Sequence, residues 1–277
     1  MNMEYVYLHI QNWKSTKLII SAMFSRNTLM YKGKVVKYYD DLYHNKDYAA
    51  ESKFIEENSK LNKVLDVGCG TGTHIQNLYK NNRMFFGIDP ESEIIEKASI
   101  KFKDSPNVFF KNCHVSEFTE ESNFDTIISM FNVVNHILNE SDLELYFKSI
   151  SRLLLSGGTF IFDCFNSDAV INDSPKDTVK EVISSSIGGS YMMSCTPVFD
   201  SNIGYMKMDN SVRVFYLDEE VDRFDYTLEH RIWLLHFLEK LVEKYNMRVE
   251  KIVSNFDYNK KASNRDYKIT FICKKGD

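Results

Sequence analysis

The chain has 277 residues, 43% of them hydrophobic, with 4 prolines and a formal net charge of −5. That suffices for one large α/β domain, or a domain with a small added lobe, and excludes a disordered or collagen-like chain. Acids and bases are interspersed without a basic tract, which speaks against a nucleic-acid partner.

The five cysteines (Cys69, Cys113, Cys164, Cys195 and Cys273) are scattered, odd in number and free of any CxxC pair. The pattern predicts no metal site and no disulfide framework; it predicts reduced thiols and a cytoplasmic protein. No apolar run approaches the length of a membrane span, so no membrane partner is expected. The short run Leu18–Phe24 follows Lys14 and Lys17, as a leader would require. It reads better as a poorly packed extension, or as residues ahead of a later start at Met23 or Met30.

From residue 31 the pattern becomes regular. Lys34–Tyr43 and Asp47–Ser59 read as polar helices. Lys63–Val67 reads as a strand and Thr71–Tyr79 as a helix. Met84–Ile88 is a strand, Glu91–Lys101 a helix, and Val108–Lys111 and Phe124–Met130 are strands. Ser141-Asp142-Leu143-Glu144 has capping-box form, and Leu143, Phe147, Ile150 and Leu154 follow at helical spacing. Thr159–Phe165 is a fifth strand. Strands and helices alternating at these lengths predict a parallel sheet covered on both faces. After Asn166 the regime changes. From Ser190 to Tyr226 polar and apolar residues alternate between turn signals, which predicts an inserted antiparallel lobe. Leu234, Leu238, Leu241 and Tyr245 mark a last helix, and Met247–Phe256 with Tyr267–Lys274 a final hairpin pair.

The run Val64-Leu65-Asp66-Val67-Gly68-Cys69-Gly70-Thr71-Gly72 is the most informative stretch. A strand ending in Gly-x-Gly-x-Gly turns tightly and lets its backbone approach a ligand, because no Cβ intervenes. The spacing differs from the dinucleotide fingerprint, and no P-loop lysine follows. Ligands of open α/β sheets bind at the carboxyl ends of the strands. Asp89 ends the second strand there, 23 residues after Asp66, about the interval at which an acid meets a ribose.

All nine positions of that run resemble motif I of the class I S-adenosylmethionine-dependent methyltransferases. The resemblance implies a Rossmann-like, mostly parallel seven-stranded sheet with its last strand antiparallel, and an inserted antiparallel β lobe after the fifth strand. The segments Tyr38–Tyr43 and Lys46–Glu51, the ending Gly72-Thr73-His74, and Ser129-Met130-Phe131 with His136 are similar to the branch that dimethylates the amino group of nucleotide-linked deoxyaminosugars. The implied organisation is a 1–30 extension, a 31–165 cofactor-binding core with a helical lid, a 166–229 lobe on the acceptor side, and a 230–277 helix and hairpin. The implied cofactor is S-adenosyl-L-methionine. Tyr39, Asp66, Gly68, Cys69, Gly70, Gly72, Asp89, Pro90, His114, Met130 and Phe131 would hold it. Cys113-His114-Val115 departs from the family's usual Gly-Asp ending of the third strand.

The resemblance further implies Tyr39 or Tyr43 as a lid residue. His136 and Tyr43 are the catalytic candidates, the histidine with a pKa suited to partial base work at neutral pH. Arg231, which could pair with a phosphate, and Asn166 are the substrate candidates; His230 and Asp163 are weaker ones. The expected acceptor is a small polar molecule, most concretely the amino group of a nucleotide-linked sugar. The alternatives are O-methylation of a sugar, phosphorylated capsule precursor or other metabolite, and a non-catalytic S-adenosylmethionine-binding protein. A nucleic-acid enzyme is disfavoured because Asn132-Val133-Val134-Asn135 lacks the paired prolines of those methyltransferases. A monomer or homodimer is expected.

Overall fold

The computed structural model describes residues 32–119, 123–184 and 188–277. The expectations for residues 1–30 fall outside them. In chain order the elements are α1 (Lys34–Leu42), α2 (Tyr48–Asn58), β1 (Lys63–Val67), α3 (Thr73–Leu78), β2 (Met84–Asp89), α4 (Ser92–Lys101), β3 (Val108–Asn112), β4 (Phe124–Ser129), α5 (Glu140–Leu153), β5 (Leu154–Phe165) and α6 (Ser167–Asn172). There follow β6 (Thr178–Ser184), β7 (Gly189–Asp200), β8 (Tyr205–Tyr216), β9 (Glu219–Arg231), α7 (Leu235–Lys244), β10 (Met247–Ser254), β11 (Asp257–Lys261) and β12 (Lys268–Lys275).

The main sheet has eight strands in the order β11-β10-β12-β5-β4-β1-β2-β3. β1 to β5 are mutually parallel, while β12 runs antiparallel to β5 and β10 antiparallel to β12. The architecture is the expected one with a correction in strand count. β11 adds an eighth strand at the edge, and all five of its residues are exposed, so it has no apolar pattern to betray it. The order reverses between β1 and β4, which opens a crevice at their carboxyl ends. β6 to β9 form a separate four-stranded antiparallel sheet.

The parallel strands are buried because helices cover both faces. On one side Phe147, Phe160, Phe162 and Phe271 pack among Leu143, Ile150 and Leu238. On the other Ile55, Val64, Ile75, Phe85 and Ile161 form the core. Ser141 does not cap α5. Asn139 does, its side chain accepting from the Asp142 N–H at 2.9 Å, while Ser141 donates to Asn139. The lobe sheet packs its inner face on α1: Val35, Tyr38 and Leu42 meet Val182, Tyr191, Val212 and Phe224.

Candidate active site

The glycine loop between β1 and α3 takes left-handed φ at Gly68 (+73°), Gly70 (+54°) and Gly72 (+78°), conformations that favour glycine. A Cβ on Gly68 would stand 2.5 Å from a Val133 methyl, and one on Gly70 would stand 3.4 Å from the Tyr39 hydroxyl. The loop is therefore packed between the β4 carboxyl end and helix α1. Gly68 and Cys69 N–H groups donate to the Ile88 carbonyl, tying the loop to β2. Thr71 donates to Asp40 of α1, and Asp40 pairs with Lys97 (3.2 Å) and Lys101 (3.4 Å) of α4.

A cleft opens at this point, at the carboxyl ends of β1, β2 and β4. Of the residues expected from the sequence, Tyr39, Gly68, Cys69, Gly70, Asp89, Pro90, Met130, Phe131 and His136 line it. Tyr48, Thr71, Thr73 and His74, which lie in the quoted motif segments without being named as site residues, also line it, as do Glu91, Ile94 and Val133. Six expected residues stand elsewhere. Asp66 is buried beneath the loop, at 1% exposure. Gly72 faces the Phe102 and Phe110 rings. Tyr43 stands behind the wall, with ring contacts to Tyr39 (5.0 Å) and Phe131 (5.1 Å). His114 is exposed, its backbone N–H bound to Glu117 at 3.1 Å. Asn166 is a buried cap for α6, bonding the Asp168 N–H and the Ser263 carbonyl. The Arg231 guanidinium lies 5.2 Å from the Trp233 ring.

Asp89 accepts from the Gly70 N–H (3.1 Å) and the Glu91 N–H (2.9 Å). A carboxylate has about four acceptor positions, so capacity remains for ligand hydroxyls. Burial raises its pKa, opposed by those two N–H bonds. Asp66 is different in kind. Neither of its oxygens has a hydrogen-bond partner, and burial, with Asp89 adding to it, pushes its pKa up to about 8.

Beside it lies a buried ionic network. Glu51 of α2 bonds His74 Nε2 at 2.8 Å, pairs with Lys46, and has Lys268 of β12 at 3.7 Å. Although burial works against it, the His74 hydrogen bond with Lys268 and Lys46 holds Glu51 down to about 2. Lys268 also pairs with Asp163 of β5 at 2.7 Å, and Asp163 accepts from the Asn132 N–H. That bond pins two consecutive left-handed residues, Phe131 (φ 72°) and Asn132 (φ 60°). Such strain in non-glycine residues persists only where surroundings over-determine it, and it clusters at functional sites.

The β4 end carries His136. Its ring is 4.4 Å from that of His230 on β9, and His230 meets Phe165 edge-on. Buried Asn135 stitches the region together, donating to the Arg231 carbonyl (2.8 Å) and accepting from the Phe165 N–H (2.9 Å). Burial lowers the His136 pKa to about 4, and burial with its neighbour His136 holds His230 well below the usual range. The expected value near neutrality is thereby corrected: both rings are uncharged at pH 7. His136 Nδ1 lies 3.4 Å from the Glu229 carbonyl, which can only accept. Nδ1 therefore donates, and Nε2 is left as an acceptor. Among the described residues no group of three potential ligands could hold a metal, and no helix is long and apolar enough to cross a membrane.

Residues 64–158 match the family model of a methyltransferase domain. The chain is 24% identical over 236 residues to YqeM of Bacillus subtilis, a protein named as a methyltransferase, with 82% of this chain and 90% of that one covered. It is 26% identical over 141 residues to the dTDP-3-amino-3,4,6-trideoxy-alpha-D-glucopyranose N,N-dimethyltransferase of Streptomyces venezuelae, covering 48% of this chain and 58% of that enzyme. Among solved structures, an S-adenosylmethionine-dependent methyltransferase from Clostridium acetobutylicum has the same fold, with a TM-score of 0.74 at 24% identity over 87% of this chain and 96% of that one. The glycine loop at the β1–β4 crevice, the sheet order and the family model agree: the chain carries a class I methyltransferase domain, the architecture of S-adenosylmethionine-dependent enzymes, and is a methyltransferase of that type.

Proposed function

We propose that this chain methylates the amino group of a small polar acceptor, most concretely a nucleotide-linked amino sugar, at the His136 end of the cleft. S-adenosylmethionine supplies a methyl group on a sulfonium already activated for in-line displacement. The residues present fit that cofactor. Asp89 offers acceptors to vicinal ribose hydroxyls, and Gly68 and Gly70 leave backbone open to approach. Asp66, with two unpartnered oxygens, suits an ammonium. Tyr39 of α1 covers Gly70 and keeps water from the loop, so position and desolvation do most of the work.

The His136 ring, whose Nδ1 faces the Glu229 carbonyl and leaves Nε2 as an acceptor in the cleft, is the observation that favours nitrogen over oxygen as nucleophile. A hydroxyl must lose its proton in the transition state, and a base works best with a pKa near the operating pH. With a pKa of about 4, His136 is a poor proton store. An amine sheds its proton to solvent before it attacks, so none need leave in the transition state; an acceptor that orients one N–H suffices, and Nε2 is that acceptor. The relative from Streptomyces venezuelae, named as an aminosugar N,N-dimethyltransferase, supports the same acceptor class.

Two measurements test the proposal. Calorimetry should detect S-adenosylhomocysteine without added metal. Transfer of labelled methyl should then favour amino over hydroxyl nucleotide sugars of matched structure. Equal or faster methylation of the hydroxyl compounds would overturn the nitrogen assignment, and no cofactor binding at millimolar ligand would overturn the whole reading.

A further inference from the structure

The Gly72-Thr73-His74 end of the glycine loop puts a histidine on the cleft that the chemistry above leaves unused. His74 is 6% exposed and lines the cleft, with the Tyr48 ring edge-on to its own at 5.1 Å. Its Nε2 lies 2.8 Å from a carboxylate oxygen of Glu51, which is itself buried. Glu51 also pairs with Lys46 and has Lys268 at 3.7 Å. Cations on both sides keep that acid ionised, and an ionised carboxylate only accepts hydrogen bonds. The bond to Glu51 therefore requires the proton on Nε2, and Nδ1 keeps its lone pair. Nδ1 makes no hydrogen bond among the described residues, and unlike both Asp66 oxygens it is not sealed from solvent. Burial lowers the His74 pKa, so the ring is uncharged at pH 7. The cleft thus gains an acceptor of fixed tautomer.

Strand order says which part of a ligand that acceptor meets. β1 lies between β4 and β2, so the glycine loop after β1 divides the cleft. Asp89 ends β2 on one side of the loop, while Phe131 and His136 follow β4 on the other. His74 belongs with Phe131. The Lys46 ammonium lies 4.3 Å from the Tyr48 ring and 5.2 Å from the Phe131 ring, and Tyr48, His74 and Phe131 all line the cleft. With the ribose at Asp89 and the reacting methyl at the His136 end, the methionine part of the cofactor belongs on this side. Its carboxylate has no proton to donate, whereas its ammonium does.

We propose that His74 Nδ1 accepts a hydrogen bond from the methionine ammonium of S-adenosylmethionine, and that Glu51 is the positioning residue that fixes the tautomer. The assignment rests on the placement of the ribose at Asp89. His74 adds a second acceptor to the one that Asp66 offers, from α3 rather than from β1. The buried ionic network then acts on the cleft: Lys46 and Lys268 hold Glu51 ionised, and an ionised Glu51 leaves Nδ1 free of a proton.

The test compares two ligands on the full chain by calorimetry: S-adenosylhomocysteine, which carries the amino acid, and methylthioadenosine, which lacks it. His74→Leu should weaken S-adenosylhomocysteine binding about tenfold or more, the scale of a lost hydrogen bond to a charged group, and leave methylthioadenosine affinity unchanged. His74→Asn, whose side-chain oxygen can stand near the Nδ1 position, should recover part of that loss. Glu51→Gln offers Nε2 a donor as well as an acceptor, so it should weaken S-adenosylhomocysteine alone. Nitrogen NMR of the wild type should show His74 protonated at Nε2, with an Nδ1 resonance that moves on adding S-adenosylhomocysteine but not methylthioadenosine. Unchanged S-adenosylhomocysteine affinity in His74→Leu, equal weakening of both ligands, or a proton on Nδ1 in the wild type overturns the proposal. Failure of the ribose placement reads differently: Asp89→Ala would then leave the affinity of both ligands unchanged, whereas the three outcomes above overturn the His74 contact alone.

Discussion

Asp66 provides the sharpest quantitative test. Its carboxyl is 1% exposed, neither oxygen is hydrogen-bonded, and its pKa is pushed up from 3.8 to about 8. The groups acting on it are Asp89, which adds to the shift, and Lys46, which opposes it. The folded state thus keeps a proton that the unfolded chain releases above about pH 4. A raised carboxyl pKa means that this group's share of stability is present in acid and is lost as pH rises through the window from about 4 to 8. At about 1.36 kcal/mol per unit, the loss is about 2 kcal/mol at pH 5 and about 4 kcal/mol at pH 7. Asp66→Asn keeps the shape and abolishes the ionisation. It should therefore stabilise the ligand-free protein by those amounts, raising Tm by on the order of 10 °C at pH 7 and about half that at pH 5. Scanning calorimetry of both proteins across pH 5 to 8 measures the difference directly. S-adenosylhomocysteine affinity should move the other way, falling about tenfold or more with the loss of the acid proposed for the ammonium. A Tm gain independent of pH, or a variant less stable than wild type at pH 7, would refute the argument that Asp66 is held as an unpaired neutral acid.

Asp89→Ala removes the acceptor of the Gly70 and Glu91 N–H groups together with the acid proposed for the ribose. Calorimetry should show S-adenosylhomocysteine binding at least tenfold weaker, and unchanged affinity would place the ribose contact elsewhere. Gly68→Ala forces a Cβ to 2.5 Å from Val133 at a φ of +73°, and chemical denaturation should show a loss of about 2–4 kcal/mol. Adding Val133→Ala should recover only the crowding share, because the left-handed backbone cost remains; full recovery would mean that φ carries no penalty here. The depressed His136 and His230 pKa values make this pair stabilising near neutrality and destabilising as pH falls from about 6.5 towards 4. His136→Gln should lower kcat without removing any ionisation near pH 6.5 from the rate profile. An acid limb near 6.5 that vanishes in this variant would show that His136 titrates as a base.

What could be read from residues alone follows a physical division. The glycine loop was legible because its backbone must take positive φ, and that demand is met by residue type. Asp89 was legible because it ends a strand at a fixed interval from the loop. The parallel core was legible because strands buried on both faces are continuous apolar runs, such as Val64-Leu65 and Ile127-Ile128. β11 was hidden, since an exposed edge strand of Asp257-Tyr258-Asn259-Lys260-Lys261 reads like a loop. The Ser141 cap misled because Asn139 offers an equivalent side chain two residues earlier, and local chemistry alone does not choose between them. His74 and Tyr48 reach the cleft through the packing of α2 on α3, and the partner that orients His74 is Glu51, distant in sequence. The His136 pKa was misjudged because desolvation is a property of the assembled lobe and core, which bring His230 and Phe165 around it.

The segment Tyr38-Tyr39-Asp40-Asp41-Leu42-Tyr43 shows how a short motif can serve both halves of the site. At 100° per residue, Tyr38, Asp41 and Leu42 fall on one face of α1, and Tyr39 and Tyr43 on another. The first face belongs to the lobe. Tyr38 stacks on Phe224 at 5.6 Å and donates to Asp222, while Asp41 accepts from Tyr191 (3.1 Å) and Ser184 (3.0 Å). The second face meets the glycine loop, with Tyr39 over Gly70 and Asp40 bound to Thr71, while Tyr43 touches both Phe131 and, through its hydroxyl, Tyr226 of the lobe. The paired tyrosines and paired aspartates are therefore not redundant: one member of each pair points to each side. The motif thus joins the glycine loop, specified mainly by backbone conformation, to the lobe sheet, specified by side chains of β6 to β9.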